Sequence, residues 1–159
     1  MQDVIKKLRE FHKKQRFALD VSLFDCKDAQ TTNWLFDVAA GLRLIATVLE
    51  ERCGGHCDAR LLRVQLMVEE LSETVEALAH NDEIALVDGL SDLQFVTVGT
   101  SETFGLPTEQ GLNAVCDSNL TKNPRAKADH RLRNKGPDYR PPDVKGVLEA
   151  WRAHNDGAK

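Results

Sequence analysis

Four glutamates, Glu69, Glu70, Glu73 and Glu76, fall within the stretch LMVEELSETVEAL (residues 66–78), which holds no Lys or Arg. Clustered carboxylates repel, and an exposed helix ordinarily relieves them with basic residues three or four positions away. At about 100° per residue Glu69, Glu73 and Glu76 lie within roughly 60° of arc, with Glu70 on the flank and Val64, Met67, Leu71, Val75 and Leu78 on the far side. Taken alone, the stripe reads as a solvated helix face. The chemical alternative is a site for a hard divalent cation, which takes several oxygen ligands held close together.

The following segment, EIALVDGLSDLQFVTVG (residues 83–99), bears on that choice. Ile84, Leu86, Val87, Leu90, Leu93, Phe95, Val96 and Val98 surround it on nearly all sides, which predicts a buried helix. Yet Asp88 and Asp92 stand four apart on one face. Buried carboxylates are costly unless they are paired, protonated or bound to metal. Arg60, Arg63 or a cation of a downstream basic loop would be the pairing partners; the glutamates cannot be. A short turn between the two helices makes them antiparallel neighbours, so Glu70 and Glu73 can approach Asp92. Six acids from two facing helices favour the cation.

The elements that must position these residues read as all-α. Only six Phe, two Trp and one Tyr, with few alternating β-branched runs, argue against an all-β fold. A first amphipathic helix is expected over about residues 3–18. Thr31, Thr32 or Asn33 caps a second, ended by Gly54 and Gly55; Asp58 caps a third, ending near Asn81; a fourth runs from about Asp82 to Gly105. A fifth starts at Pro107 or Thr108 and ends near NLTKN, and Pro142 or Asp143 opens a last one through Trp151. At 159 residues a single domain is expected, spanning 1–159. No secretory stretch and no membrane-length apolar run stands out, so a cytoplasmic location without membrane contact is expected.

The net charge of −4 hides a basic segment: from Lys122 to Arg140 seven basic residues face two acidic ones. A patch this small on an acidic chain suits one polyphosphate ligand better than a nucleic acid polymer. The segment between Lys122 and Pro141 is long for a loop in a compact domain, which marks it as functional. The cysteines, Cys26, Cys53, Cys57 and Cys116, form no evident disulfide framework. CGGHC (residues 53–57) has one residue too many for a redox dithiol and one ligand too few for tetrahedral zinc, so a Gly-Gly turn with free thiols is expected.

These residues resemble a family, the MazG-like all-α nucleoside triphosphate pyrophosphohydrolases, related to dimeric dUTPases and phosphoribosyl-ATP pyrophosphohydrolase. The motif E-E-x-x-E stands as Glu69, Glu70, Leu71, Ser72, Glu73; the second, E-x-x-D, is met at Asp92 but has Gly89 where its glutamate belongs, with Asp88 one residue earlier. SNLTKN (118–123) and NKGPDYRPPDV (134–144) resemble further segments, so the similarity runs from about Leu61 to Leu148. The resemblance implies hydrolysis between the α- and β-phosphates of a nucleoside triphosphate. It implies metal ligation by Glu70, Glu73, Asp92 and Asp88, with Mg²⁺ or Mn²⁺ as the ion, and activation of water by Glu69. Asn119, Lys122, Lys135, Tyr139 and Arg133 are then the polyphosphate contacts, Lys122 with a catalytic share. Closeness to the dUTPase-like branch favours a pyrimidine deoxynucleotide. Two copies should pair their central helices into a four-helix core, as a dimer or a dimer of dimers, flanked by the N- and C-terminal helices. The competing class is a non-catalytic oligomeric scaffold whose acidic stripe binds a partner. For Asn119 a helix C-cap is the structural alternative, and for the base Trp34, Phe24 or Phe17 are the aromatic candidates.

Overall fold

The computed structural model describes residues 1–54, 58–124 and 135–156, among which there are six α-helices and no strand. They are α1 (Gln2–Gln15), α2 (Ala29–Cys53), α3 (Ala59–His80), α4 (Glu83–Thr103), α5 (Thr108–Leu120) and α6 (Val144–Asp156). Two compact units divide the chain, Met1–Asp20 with Leu106–Lys159, and Val21–Gly105.

In the first unit α1 packs on α5, and α5 on α6. The amphipathic pattern of α1 buries Val4, Phe11 and Gln15. The helix closes earlier than expected because Arg16 turns left-handed at φ 57°, which lets Phe17 fold back on the rings of Phe11 and His12. Lys7 ties α1 to α5 through Asp117 at 2.9 Å and Asn113 at 3.2 Å. Proximity of Asp117, then Asp3, raises the Lys7 pKa. The last helix starts as expected, with Asp143 accepting from the Gly146 amide, and runs beyond Trp151 to Asp156.

In the second unit α3 lies between α2 and α4, and Asn81 and Asp82 alone separate it from α4. The caps explain why the helices begin and end where they do. Asp58 accepts from the Arg60 amide at 2.8 Å, Asn81 closes α3 in the left-handed region, and Asp82 accepts from the Ile84 and Ala85 amides at 3.0 Å. At α2 the expectation was wrong. Asp28, not Thr31, Thr32 or Asn33, is the cap, accepting from the Thr31 amide at 2.8 Å; a carboxylate satisfies that amide while both threonine hydroxyls bond back to Asp28.

Two expectations about burial also fail. Helix α3 buries Gln65, Ser72, Thr74, Ala77 and Ala79, not the larger residues of its apolar face; Val64 and Leu71 are exposed. Small side chains let helices approach closely, and larger ones are left outside the contact. Helix α4 is not buried: only Gly89 and Val96 are, while Ile84 is 85% and Phe95 77% exposed, and Asp88 and Asp92 reach solvent. In one chain α4 packs chiefly on α3, so one helix surface cannot cover an element that is apolar all round. Helix α2 also meets the length and composition of a spanning helix, although only 11% of its most apolar window is buried.

Candidate active site

The antiparallel seam of α3 and α4 is pinned by two glycines. A Cβ on Gly89 would stand 2.9 Å from Thr74 Oγ1 and 3.2 Å from the Thr74 Cα and N, so backbone meets backbone there. Ten residues on, a Cβ on Gly99 would meet Arg63 Nη1 at 3.3 Å. Between these contacts Glu70 of α3 faces Asp92 of α4. The Glu70 carboxyl has its pKa raised, first by burial and then by the charges of Glu73, Asp92, Glu69 and Asp88. All five acids therefore share one electrostatic neighbourhood, and none of the causes acting on Glu70 among the described residues is a basic group.

Two of the expected pairing partners, Arg60 and Arg63, are placed elsewhere, while Arg125, Lys127, Arg131 and Arg133 of the basic loop lie outside the described residues. Arg60 is held by Asp58 at 2.7 Å, which brings the Asp58 pKa down to about 2, and Arg63 rests against Gly99 with no ion pair among the described residues. Neither neutralises Asp88 or Asp92. The Gly89 departure from the second motif also gains a reason: a glutamate there would drive its Cβ into the Thr74 backbone. Asp88, one residue earlier, is exposed on the open side of the seam.

A cavity of about 570 Å³ opens beside these acids, walled by α2, α3 and the start of α4. Glu69, Glu73 and Asp88 line one end. Gln65 Nε2 donates to Glu69 Oε2 at 2.7 Å and orients it, while the Ser72 hydroxyl donates to the Glu69 carbonyl at 2.8 Å. Glu76 does not continue the unpaired stripe, because Arg43 of α2 forms an ion pair with it. Arg43 escaped the reading of the sequence, although it is one of only two charged residues between Trp34 and Leu49. Phe36 meets His80 edge-on at 4.9 Å; of the aromatic candidates for base stacking, Trp34 and Phe24 are exposed and do not line the cavity, and Phe17 belongs to the first unit.

The donor set is chemically suited to a hard divalent ion: all oxygen, five carboxylates, mutually repelling. As they stand, no three His, Cys, Asp or Glu side chains among the described residues are gathered closely enough to hold one, the spread that like charges on flexible stems adopt.

The first unit gathers cations. Lys135 Nζ lies 4.7 Å from the centre of the Tyr139 ring and Lys122 Nζ 6.0 Å from that of Phe11. The Tyr139 hydroxyl pKa is lowered, first by a hydrogen bond with Ser118 and then by the charges of Lys135 and Lys122. Ser118 and Thr121 hold this segment in place: Ser118 Oγ donates to the Arg140 carbonyl at 2.7 Å and the Arg140 amide donates to Thr121 Oγ1 at 2.9 Å. Thr121, not Asn119, is the C-cap of α5, so the capping alternative for Asn119 falls; its carbonyl accepts from the Lys122 amide at 3.1 Å. Asn123 packs directly on Gly136, where a Cβ would overlap its amide. Arg133 lies outside the described residues, as do Gly55, His56 and Cys57 of the CGGHC turn. Cys26 and Cys116 are free as expected, but Cys53 is disulfide-bonded. It closes α2, and a thiol at a helix end has the backbone freedom that a disulfide requires.

No curated protein and no solved structure gives a significant match to the chain. Residues 46–119 match the family model of phosphoribosyl-ATP pyrophosphohydrolase, a span that contains Glu69, Glu70, Glu73, Asp88 and Asp92 and ends at Asn119. With the all-helical fold and the paired acidic helices, residues 46–119 form a phosphoribosyl-ATP pyrophosphohydrolase-family domain of the MazG-like all-α nucleoside triphosphate pyrophosphohydrolase superfamily.

Proposed function

We propose that the chain hydrolyses a nucleoside triphosphate between its α- and β-phosphates, releasing the monophosphate and pyrophosphate, and that its substrate is a deoxynucleotide such as dUTP or dCTP, or a non-standard dNTP. Pyrophosphohydrolase activity in the broad sense is what the family match supports. The observation that supports the rest is the Glu70 neighbourhood: burial, then the charges of Glu73, Asp92, Glu69 and Asp88 on the same two helices, raises the proton affinity of Glu70.

Glu70, Glu73, Asp88 and Asp92 are the residues to hold Mg²⁺ or Mn²⁺. When bound, such an ion neutralises phosphate charge and draws electrons from the phosphorus to be attacked. Glu69 stands apart from the seam, with one carboxylate oxygen fixed by Gln65, and takes the proton of the attacking water with the other. Asn119, Lys122, Lys135 and Tyr139 grip the polyphosphate through charge-assisted hydrogen bonds, Lys122 also stabilising the charge of the leaving pyrophosphate; Arg133 is assigned the same role from its place in the sequence.

The chain works as a dimer in this reading. Ile84, Val87, Leu90 and Phe95 of α4 leave an apolar face uncovered, and a second copy covers it by completing a four-helix core. Light scattering on the eluted protein at several concentrations tests this; a mass of one chain throughout contradicts it. The activity is tested by incubating the full chain with Mg²⁺ and a panel of dNTPs and resolving the products. Monophosphate and pyrophosphate are expected. Diphosphate and orthophosphate, or no turnover, contradict the assignment and leave the acidic face as a partner-binding surface.

A further inference from the structure

The cavity beside the acids has two ends of different character. Glu69, Glu73 and Asp88 give one end a strong negative charge. Seven residues along α3 from Glu69, about 10 Å of helix, the wall becomes Ala77, Ala85 and the ion pair of Arg43 with Glu76, with His80 and Asp82 beyond them, the Asp82 carboxylate already accepting from two backbone amides. The ion pair changes what this end can bind. A guanidinium alone is an anion site, but one already matched by a carboxylate is neutral as a unit, and the carboxylate repels phosphate. What such a unit offers is N–H donors beside acceptor oxygens at fixed spacing. Arg43 Nη2 and Glu76 Oε2 engage each other, the side chains are 57% and 37% exposed, and Ala46, Ala77 and Ala85 line the cavity beside them.

A neutral, planar, edge-polar group fits this description: a nucleobase, whose hydrogen-bonding edge sets a ring or amino N–H beside a carbonyl or ring nitrogen. Resting on the hydrolase reading above, we infer that the Arg43–Glu76 pair reads the edge of the substrate's base. Arg43 donates to the base acceptor and Glu76 accepts from the neighbouring N–H. The acids at the other end are left to the triphosphate and its metal, so one cavity separates recognition from chemistry along the length of α3. The aromatic residues expected to hold a base, Trp34 and Phe24, take no part in this wall.

The test separates base from phosphate. Pyrophosphate release by the full chain with Mg²⁺ is measured with dUTP, dCTP, dATP and dGTP, and with 2′-deoxyribose 5′-triphosphate, which has no base. Arg43→Ala and Glu76→Gln should each lower kcat/KM for the best base-bearing substrate about 10- to 100-fold, mainly through KM, and leave the baseless triphosphate within about threefold of wild type. Arg43→Lys, which keeps the charge without the fork, should fall between. Using variants on two different helices, each checked by its thermal melt, guards against a folding defect in either. Equal losses on the baseless triphosphate assign Arg43 to the phosphates and overturn the inference, as do variants indistinguishable from wild type on every base. A wild-type chain that releases no pyrophosphate overturns the hydrolase reading and this inference with it; a hydrolysing wild type with base-independent losses overturns the inference alone.

Discussion

The acids of α3 and α4 and the cations around Tyr139 both crowd like charges, and the chain treats them in opposite ways. Lys135 and Lys122 lie by the rings of Tyr139 and Phe11, and hydrogen bonds from Ser118 and Thr121 hold the backbone around them. Each of those charges is partly compensated within the fold. Glu76 has Arg43 and Glu69 has Gln65, but Glu70, on an equally rigid helical frame, gains proton affinity from burial and then from four neighbouring acids. In the proposed reading both clusters meet the substrate, the cations already held in place by their rings and hydrogen bonds, the carboxylates awaiting a counter-charge. The contrast is between charges the fold positions and charges it leaves in conflict.

Glu70→Gln should break the contrast most visibly. Removing the carboxylate at the centre of the conflict should lower kcat/KM more than about 100-fold, equivalent to about 2.7 kcal/mol of transition-state stabilisation, while the metal-free protein melts no lower than wild type. A lower melting temperature would make Glu70 a structural acid after all. Lys122→Ala should act on the compensated side, costing about 10- to 100-fold, mostly in KM, with little change in the melt. Gly89→Ala should cost about 1–3 kcal/mol of stability by denaturant unfolding, because its Cβ meets the Thr74 backbone. Thr121→Val should cost only about 1 kcal/mol by loosening Arg140.

The smallest effect has a sign that distinguishes the two kinds of acid. Glu70 has its folded pKa raised above 4.5, so its share of stability is present below that value and is lost as pH rises through the raised one. Asp58, paired with Arg60, is lowered from 3.8 to about 2; its share is present above 3.8 and is lost as pH falls toward 2. Melting curves in metal-free buffer across about pH 1.5 to 7 should show the first slope vanish in Glu70→Gln and the second in Asp58→Asn.

Local rules made much of this fold legible. Asp58, Asn81 and Asp82 punctuate the chain through side chains and backbone angles that act within a few residues, and the helices began and ended there. Where two acceptors competed, as Asp28 did with Thr31 and Thr32, the stronger one three residues upstream took the cap. Burial was less legible because it depends on what is absent from any one helix. Periodicity marks α4 as apolar on every side, but only a count of neighbours says how much of it one chain can cover. The acids of E-E-x-x-E and the Asp88/Asp92 pair stood out in the sequence because their spacing predicts two neighbouring helix faces. Arg43 was not, since its partner Glu76 is thirty-three residues away and nothing local ties the two together.

The contact of Gly89 with Thr74 bears on how such a site can change over generations. A side chain at Gly89 stands 2.9 Å from Thr74 Oγ1 and 3.2 Å from the Thr74 backbone at its Cβ, so a glutamate there needs the seam to give by a few tenths of an ångström. The carboxylates that α3 and α4 carry shift with it. Substitution at Gly89 is therefore coupled to the same ligand spacing that the glutamate would join.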